Sequence, residues 1–228
     1  MVVPPHHDLP QTPAPPPGGL AFLAHAARQS AQRKLSGLSV TKQQLRQQLR
    51  AARQAHVEAL PAVTKALLFR RPPSPLLDMV PDGASVGLYH ASPWEAPASG
   101  YAAFFAEAGH AIALPRFASP KAEMQFRAHT DPFGESDLER GAFDLLQPME
   151  SAPSLIPDVL IMPLLGFTAQ GARIGQGGGH YDRWLAAHPQ TLAIGLAWDC
   201  QLVEELPLEP HDIPLNAVIT PTRFYGPF

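Results

Sequence analysis

A glycine-rich run, Arg173-Ile-Gly-Gln-Gly-Gly-Gly-His-Tyr-Asp-Arg183, contains the residue types most able to do chemistry in this sequence. Its four glycines fall within five positions, so the backbone can turn tightly and point several N–H groups at one place. Arginines flank the run, and Asp182 falls in the expected first turn of a helix. Such a loop suits a polyphosphate with its metal ion. The alternative is a tight connection that needs only positive φ angles.

The common phosphate-loop signature is absent, because no Lys-Ser or Lys-Thr follows the glycines. Neutralising cations must therefore come from elsewhere in the chain. A predicted helix begins after the N-cap candidate Thr41, with one face formed by Leu45, Leu49 and Ala52. A second face carries the cations Lys42, Arg46, Arg50 and Arg53. Such a row is usually a solvated surface, but without interspersed acids its members repel one another unless an anion lies near.

Composition sets the broad class of the protein. The chain has 228 residues, a formal net charge of −3 and 45% apolar residues, which is typical of an ordinary globular protein with no demand for nucleic acid or membrane. Its single cysteine excludes an internal disulfide framework and fits a reducing, cytoplasmic location. Seven prolines within the first 17 residues predict a disordered tail over residues 1–39, followed by one domain over 40–228. The acid-poor stretch from Leu9 to Val57 leaves an organelle transit peptide as an alternative.

Short apolar runs alternate with helical segments through the predicted domain. Strands are expected at 84–89, 111–114, 158–162, 192–198 and 217–220, an exposed hairpin arm at 123–127, and helices at 20–35, 101–108 and 181–187. This order predicts the α/β class, as a single domain built on an open, largely parallel twisted sheet covered by helices on both faces. Ligands of such sheets bind beyond the carboxyl ends of the strands, where the glycine run falls.

Three segments in this order resemble the 5-formyltetrahydrofolate cyclo-ligase (methenyltetrahydrofolate synthetase) family. They are Lys42-x-x-x-Arg46; Pro163-Leu-Leu-Gly-Phe followed by Gly171-x-Arg-Ile-Gly-x-Gly-Gly-Gly-x-Tyr-Asp-Arg183; and Ile194-Gly-Leu-Ala-Trp-x-x-Gln201 with Leu206-Pro, His211-Asp212 and Val218-Ile-Thr220. Leu114-Pro-Arg116 and Met124-x-Phe126 match lesser landmarks. The resemblance spans roughly residues 40–222, and its long glycine motif is the specific part.

The resemblance implies an ATP-dependent ligase with Mg²⁺ that closes a ring on a reduced folate. In the family's scheme the formyl oxygen attacks the terminal phosphate, the neighbouring aniline nitrogen adds to the activated carbon, and phosphate leaves. By resemblance Arg46 and Arg173 are the catalytic candidates and Asp182 and Asp212 the magnesium ligands. The ATP-binding candidates are Lys42, Arg46, Arg173, Ile174, Gly175, Gln176, Gly177, Gly178, Gly179, His180 and Tyr181. As alternatives, Asp182 would only favour a helix dipole and Asp212 would be a turn residue.

The resemblance also implies contacts to the folate. Glu95 is expected at the pterin's amino edge, with Tyr89, His90 and Arg116 as further substrate contacts. Glu95 could instead be merely solvated, and Met124 and Phe126 could be either folate contacts or core. Gln176, His180 and Thr168 depart from the residues that are common in the family, and these changes are expected to alter substrate affinity more than ATP use.

Two other functions stay open. One is a cyclo-ligase-like paralogue acting on another amide or formamide, motivated by Gln176 and His180. The other is a non-catalytic nucleotide- or RNA-binding module that uses the basic stripe from Arg28 to Arg53. The leading hypothesis expects only small-molecule partners, ATP and a reduced folate, and a monomer that binds neither nucleic acid nor membrane.

Overall fold

A computed structural model describes residues 41–228, of which 42–228 form one compact unit. The helix expected at 20–35 and the whole of the expected tail at 1–39 lie outside the described residues. None of the described helices is both long and apolar enough to cross a bilayer.

The strands expected from the apolar runs form the centre of a seven-stranded sheet. Its five parallel members are β1 (Val86–Gly87), β2 (Ile112–Arg116), β6 (Val159–Pro163), β9 (Leu192–Leu196) and β10 (Ala217–Ile219). Antiparallel strands β3 (Gln125–Ala128) and β11 (Phe224–Tyr225) close the two edges, in the order β11-β10-β9-β6-β1-β2-β3. The open, largely parallel sheet is confirmed, and the expected arm at 123–127 overlaps edge strand β3 at residues 125–127.

Two small hairpins were not expected from the sequence. One joins β4 (Leu138–Arg140) to β5 (Leu146–Pro148) around a 3-10 turn at Ala142–Asp144. The other joins β7 (Gly166–Phe167) to β8 (Arg173–Ile174) and delivers the chain into the glycine run. These strands are too short to show an alternating pattern, so apolar periodicity carries no signal for them.

Helices cover both faces of the sheet. They are α1 (Lys42–Ala59), α2 (Ala62–Leu67), α3 (Ser74–Leu77), α4 (Ser99–Glu107) and α5 (His180–Ala187), with a second 3-10 turn at Asp199–Gln201. Strand residues of one parity, such as Ile161 and Ile194, pack with α1, α3 and α4. Residues of the other parity, such as Leu160 and Met162, pack with α5 through Trp184. Because successive strand residues point to opposite faces, buried strands of this kind read as continuous apolar runs.

The inner face of α1 differs from the expected one. Leu49 is buried as expected, but Ala52 is exposed and the next residue, Arg53, is buried. Arg53 lies one helical turn after Leu49, and its guanidinium finds polar partners in the interior. The cation row is therefore not a uniformly solvated face.

The chain order reverses at the middle of the sheet. From β1 the chain moves to β2 on one side, and it later returns to β6 on the other side. The two neighbouring strands β1 and β6 thus send their following loops in opposite directions and leave a crevice at their carboxyl ends. That crevice is the expected place for a ligand.

Candidate active site

A cavity of about 550 Å³ opens at this crevice. Tyr89 and His90 after β1, and Pro163 and Leu164 at the end of β6, contribute to its walls. Most of the expected site residues line it: Lys42, Arg46, Tyr89, His90, Glu95, Arg173, Ile174, Gly175, Gln176, Gly177, Gly178, Gly179, His180, Tyr181 and Asp212 with Asp182. Tertiary folding therefore brings the early helix α1, the glycine run and the late segment at 209–212 to one cavity.

The glycine run forms a bare loop between β8 and α5. Gly177 and Gly179 have φ values of +103° and +66°, a region that side-chain-bearing residues rarely adopt. Within residues 41–228, the backbone N–H groups of residues 176–179 donate to no backbone or side-chain acceptor. A Cβ at Gly178 would come within 2.7 Å of the His180 ring, so the ring is the first obstacle there. The loop needs positive φ angles and also exposes free donors to the cavity.

Two arginines of α1, Arg46 and Arg50, donate hydrogen bonds to this loop. The Arg46 Nε donates to the Gly175 carbonyl oxygen at 3.0 Å, and a Cβ at Gly177 would lie 3.3 Å from the Arg46 guanidinium. One turn later, Arg50 donates to the carbonyl and side-chain oxygens of Gln176 at 3.0 and 2.9 Å. Arg46 lines the cavity, whereas Arg50 is exposed on its outer side. The two cations therefore differ in their access to a bound anion.

Lys42, at the start of α1, is paired with two carboxylates. Its Nζ lies 2.7 Å from Asp212 Oδ2 and 2.9 Å from Glu209 Oε2. Burial lowers the pKa of Lys42, but hydrogen bonds to Asp212 and Glu209 outweigh it and the pKa is raised. Burial raises the pKa of Asp212, but the Lys42 ammonium and the Glu209 N–H outweigh it and the pKa is lowered. The pair is therefore ionised at neutral pH.

Arg173 and Asp182 form a second pair under the glycine loop. Arg173 is buried, and its Nη2 lies 2.5 Å from Asp182 Oδ1 while its Nε donates to the Ile213 carbonyl oxygen at 3.2 Å. Asp182 Oδ1 also accepts from the Ile213 N–H at 3.3 Å. Burial lowers the pKa of Arg173 and Asp182 raises it, with a net lowering. These bonds tie the loop to the segment that carries Asp212.

Hard-cation ligands are concentrated on this wall. Glu209, His211 and Asp212 place one ligand atom each within 4.8 Å of one another, and Asp182 lines the same cavity. Carboxylate oxygens are the ligands that Mg²⁺ prefers, and the ion usually adds phosphate oxygens and waters. Asp212 belongs to this cluster and Asp182 lies in the same cavity, and their role as magnesium ligands stays a prediction. Glu209 and His211 were not predicted, although they lie within the matched Leu206–Asp212 segment.

The part of the cavity wall that begins at His180, directly after the four glycines, is apolar and aromatic and is called here the aromatic end. The His180 ring packs edge-on against Phe117 at 4.9 Å and against Phe143 at 6.0 Å between ring centroids. Leu145 and Leu146 continue this surface. Burial, followed by the nearby Arg183 charge, lowers the pKa of His180, so the ring is neutral at pH 7. Sequence reasoning missed Phe117 and Phe143; only the position of Phe117 directly after the Leu114-Pro-Arg116 match could have indicated the former.

Glu95 faces the cavity from the loop after β1. One of its carboxylate oxygens accepts from the Ser92 N–H at 3.0 Å, and its side chain is 12% exposed. Tyr89 is fully enclosed, with its hydroxyl donating to the Ala96 carbonyl oxygen, and burial raises its pKa well above the usual value. Glu95 is therefore a partly enclosed carboxylate and is not simply solvated.

One expected substrate contact, Arg116, lies elsewhere in the molecule, as do Met124 and Phe126, for which both a folate contact and a core position were open. Arg116 is not among the residues that line the cavity; its Nη1 donates to Glu139 and to the Pro148 carbonyl oxygen, both at 2.6 Å, and so holds the β4–β5 hairpin. Met124 and Phe126 are buried in the core beside Trp184, which favours the core interpretation for both.

Comparison with known proteins shows the family of the chain. A profile of the 5-formyltetrahydrofolate cyclo-ligase family matches residues 38–221. The 5-formyltetrahydrofolate cyclo-ligase of Escherichia coli K12 is 43% identical over 97 residues, which is 40% of this chain and 53% of that protein. The Haemophilus influenzae protein of the same name is 36% identical over 91 residues, 37% of this chain and 49% of that protein. The chain thus spans about half the length of these curated relatives.

Solved structures share the fold. A 5,10-methenyltetrahydrofolate synthetase from Mycoplasma pneumoniae superposes with a TM-score of 0.58 at 22% identity, covering 78% of this chain and 97% of that chain. The corresponding Aquifex aeolicus protein gives a TM-score of 0.53 at 23% identity, with coverages of 90% and 93%. At these identities the likeness concerns the fold, while the profile match covers most of the sequence. The chain belongs to the 5-formyltetrahydrofolate cyclo-ligase family.

Proposed function

We propose that the protein uses ATP to cyclise 5-formyltetrahydrofolate to 5,10-methenyltetrahydrofolate, releasing ADP and phosphate. One observation carries the proposal beyond family membership. Lys42 and Arg46 from the start of the domain, and Arg173 with the loop N–H groups that have no partner within residues 41–228, line a single cavity. A triphosphate needs this combination of cations and backbone donors.

The chemistry requires activation of a poor nucleophile. The formyl oxygen is an amide oxygen; it attacks the terminal phosphorus, and the bond from phosphorus to the ADP oxygen breaks. The aniline nitrogen then adds to the formyl carbon and loses its proton, and the carbon–oxygen bond breaks as phosphate leaves. No protein nucleophile is needed, so the chain contributes by positioning and by neutralising charge.

The nucleotide is assigned to the glycine-loop end of the cavity. The N–H groups of residues 176–179, which have no acceptor in the described part of the chain, would donate to phosphate oxygens, and the Arg46 Nε contacts the same loop at Gly175. Lys42 and Arg173 are already paired with Asp212 and Asp182, so a phosphate arriving there competes with those carboxylates. Asp182 and Asp212 would then hold Mg²⁺. When bound, the ion would supply positive charge that offsets the phosphate oxygens.

The reduced folate is assigned to the aromatic end. Phe117, Phe143 and His180 offer ring faces and edges to a flat heterocycle, and Glu95 offers an acceptor for its amino group. His180 contributes an aromatic ring to this group, which supports a folate as substrate over an unrelated amide. We further propose that the protein is a monomer and acts in the cytoplasm.

The decisive test is the absorbance of the methenyl product, followed with and without ATP and Mg²⁺. We expect product only when 5-formyltetrahydrofolate, ATP and Mg²⁺ are all present. ATP binding without any product would favour a paralogue that acts on another amide. RNA binding that falls steeply with salt and persists in Asp182→Asn would favour the RNA-binding alternative.

A further inference from the structure

A fourth cation of α1, Arg53, turns away from the glycine loop and into the protein. Only 4% of the residue is exposed, whereas Arg50 one turn earlier is exposed. Its Nη1 lies 3.7 Å from Glu95 Oε1 and 3.5 Å from the Leu164 carbonyl oxygen. The same helix therefore contacts the nucleotide end of the cavity through Arg46 and the expected pterin-binding carboxylate through Arg53.

The buried guanidinium is incompletely satisfied. Both contacts of Nη1 are long, and within the described part of the chain Arg53 Nε is buried without a hydrogen-bond partner. Burial lowers the pKa of Arg53, and the Glu95 charge opposes that lowering. A buried cation held only for packing is costly, because an apolar side chain of similar size would fill the space without desolvating a charge.

Glu95 is the charge that compensates Arg53. Its second oxygen accepts from the Ser92 N–H, and the Trp198 indole anchors the loop by donating to the Trp94 carbonyl oxygen at 3.0 Å. Glu95 lines the site cavity, while Arg53 lies behind it and lines neither that cavity nor the adjoining one of about 430 Å³. The guanidinium thus acts on any ligand through Glu95, without direct contact.

We propose that Arg53 is a positioning residue for the reduced folate: it holds the Glu95 carboxylate oriented toward the cavity as a hydrogen-bond acceptor. This inference rests on the function proposed above, because it assigns Glu95 to the folate. The competing explanation is that Arg53 merely ties α1 to the end of β6 through Leu164.

The experiment measures binding of 5-formyltetrahydrofolate and, separately, of a non-hydrolysable ATP analogue to the wild type, Arg53→Met, Glu95→Gln and the double variant. The KM and kcat are measured alongside. We expect Arg53→Met to weaken folate binding about tenfold, with the same rise in KM and little change in kcat or in nucleotide binding. In the Glu95→Gln background the same change should have less than about a twofold effect.

Two further variants serve as controls for the charge of Arg53 and for a general effect of changing this helix. Arg53→Lys keeps the charge and should restore part of the folate affinity, and it takes the place of Arg53→Met in the cycle if that variant does not fold. Gln54→Met changes the exposed neighbour on the same helix and should leave folate binding unaltered. Effects of Arg53 and Glu95 variants that multiply independently, or equal losses of folate and nucleotide binding, would overturn the inference. A wild type that binds ATP but no reduced folate would overturn the proposed function together with it.

Discussion

The two ends of the site cavity are built in different ways. At the glycine-loop end, each cation that lines the cavity already has a polar partner: Arg46 a carbonyl, and Lys42 and Arg173 carboxylates. At the aromatic end, the rings of Phe117, Phe143 and His180 contact one another edge-on, and the His180 Nδ1 also lies 3.2 Å from Arg183 Nη2. The functional side chains of the charged end are thus preorganised by ion pairs and hydrogen bonds, whereas the Phe117 and Phe143 rings are placed by packing, which leaves ring surface available to a ligand.

If phosphoryl transfer takes place at the charged end, replacing Arg46 should have the largest effect, a fall in kcat. Arg46→Ala should reduce kcat about a hundred- to a thousand-fold, because a preorganised cation near the transferring phosphoryl group is lost. Arg50→Ala is the matched control, since Arg50 bonds the same loop from its exposed side, and its kcat should stay within a few-fold of wild type. Turnover and thermal stability should be measured on both. Equal losses in the two variants would mean that Arg46 only supports the loop.

A side chain added to the glycine loop should have a smaller effect, and this effect should be on ATP binding. Gly177→Ala should weaken ATP binding about tenfold, because a Cβ there is strained at positive φ and presses on the Arg46 guanidinium. Gly109→Ala carries the same backbone strain where a Cβ has nothing within 4 Å, so it should lower stability by about 1–2 kcal/mol without changing ATP affinity. Calorimetric titration with an ATP analogue and thermal melts separate the two effects. An ATP affinity that is unaltered in Gly177→Ala would contradict the assignment of the triphosphate to the glycine loop.

The aromatic end should respond in folate binding and not in nucleotide binding. Phe143→Ala should raise the KM for 5-formyltetrahydrofolate about fivefold through lost ring contact, with ATP affinity unchanged. Phe133→Ala is its control, because Phe133 is 66% exposed and lies outside the cavity, compared with 49% exposure for Phe143. A rise in the KM for ATP in Phe143→Ala would show that the two ends do not divide the substrates.

The smallest effect is expected at the amino ends of the central strands β1 and β6, away from the carboxyl ends where the cavity opens. The Ser85 hydroxyl and N–H hydrogen-bond to Asp158 and lower its pKa, so the carboxylate stabilises the fold above its ordinary pKa of 3.8. This contribution is lost as the pH falls through the lower folded-state pKa. Asp158→Asn should cost less than about 1 kcal/mol at pH 7, because the exposed carboxylate is screened by solvent.

Melting temperatures from pH 7 to pH 3 test this expectation. The gap between wild type and Asp158→Asn should shrink toward acid, and both substrates should bind the variant normally. A gap that is independent of pH would mean that the carboxylate charge has no part in it.

The sequence predicted the charged end better than the aromatic end. The glycine run is contiguous, so its φ angles and donors are local properties of a few neighbouring residues, and Lys42 and Arg46 fall at fixed helical spacing. Phe143 comes from an irregular turn with a positive φ, which no periodic pattern indicates. Arg116 was expected at the substrate but holds a hairpin that the sequence did not predict.

The sequence by itself determined the parallel sheet, through apolar strands separated by helices, and the conformational freedom of the glycine loop. Only the tertiary structure decided which cation of α1 would face a carbonyl, a carboxylate or the protein interior. The physical reason is that neighbouring helix positions differ little in intrinsic preference, so their surroundings come from packing against distant segments. Arg53 shows this most clearly, because its polar partners come from distant segments. Glu95 lies in the loop after β1, and Leu164 directly follows β6.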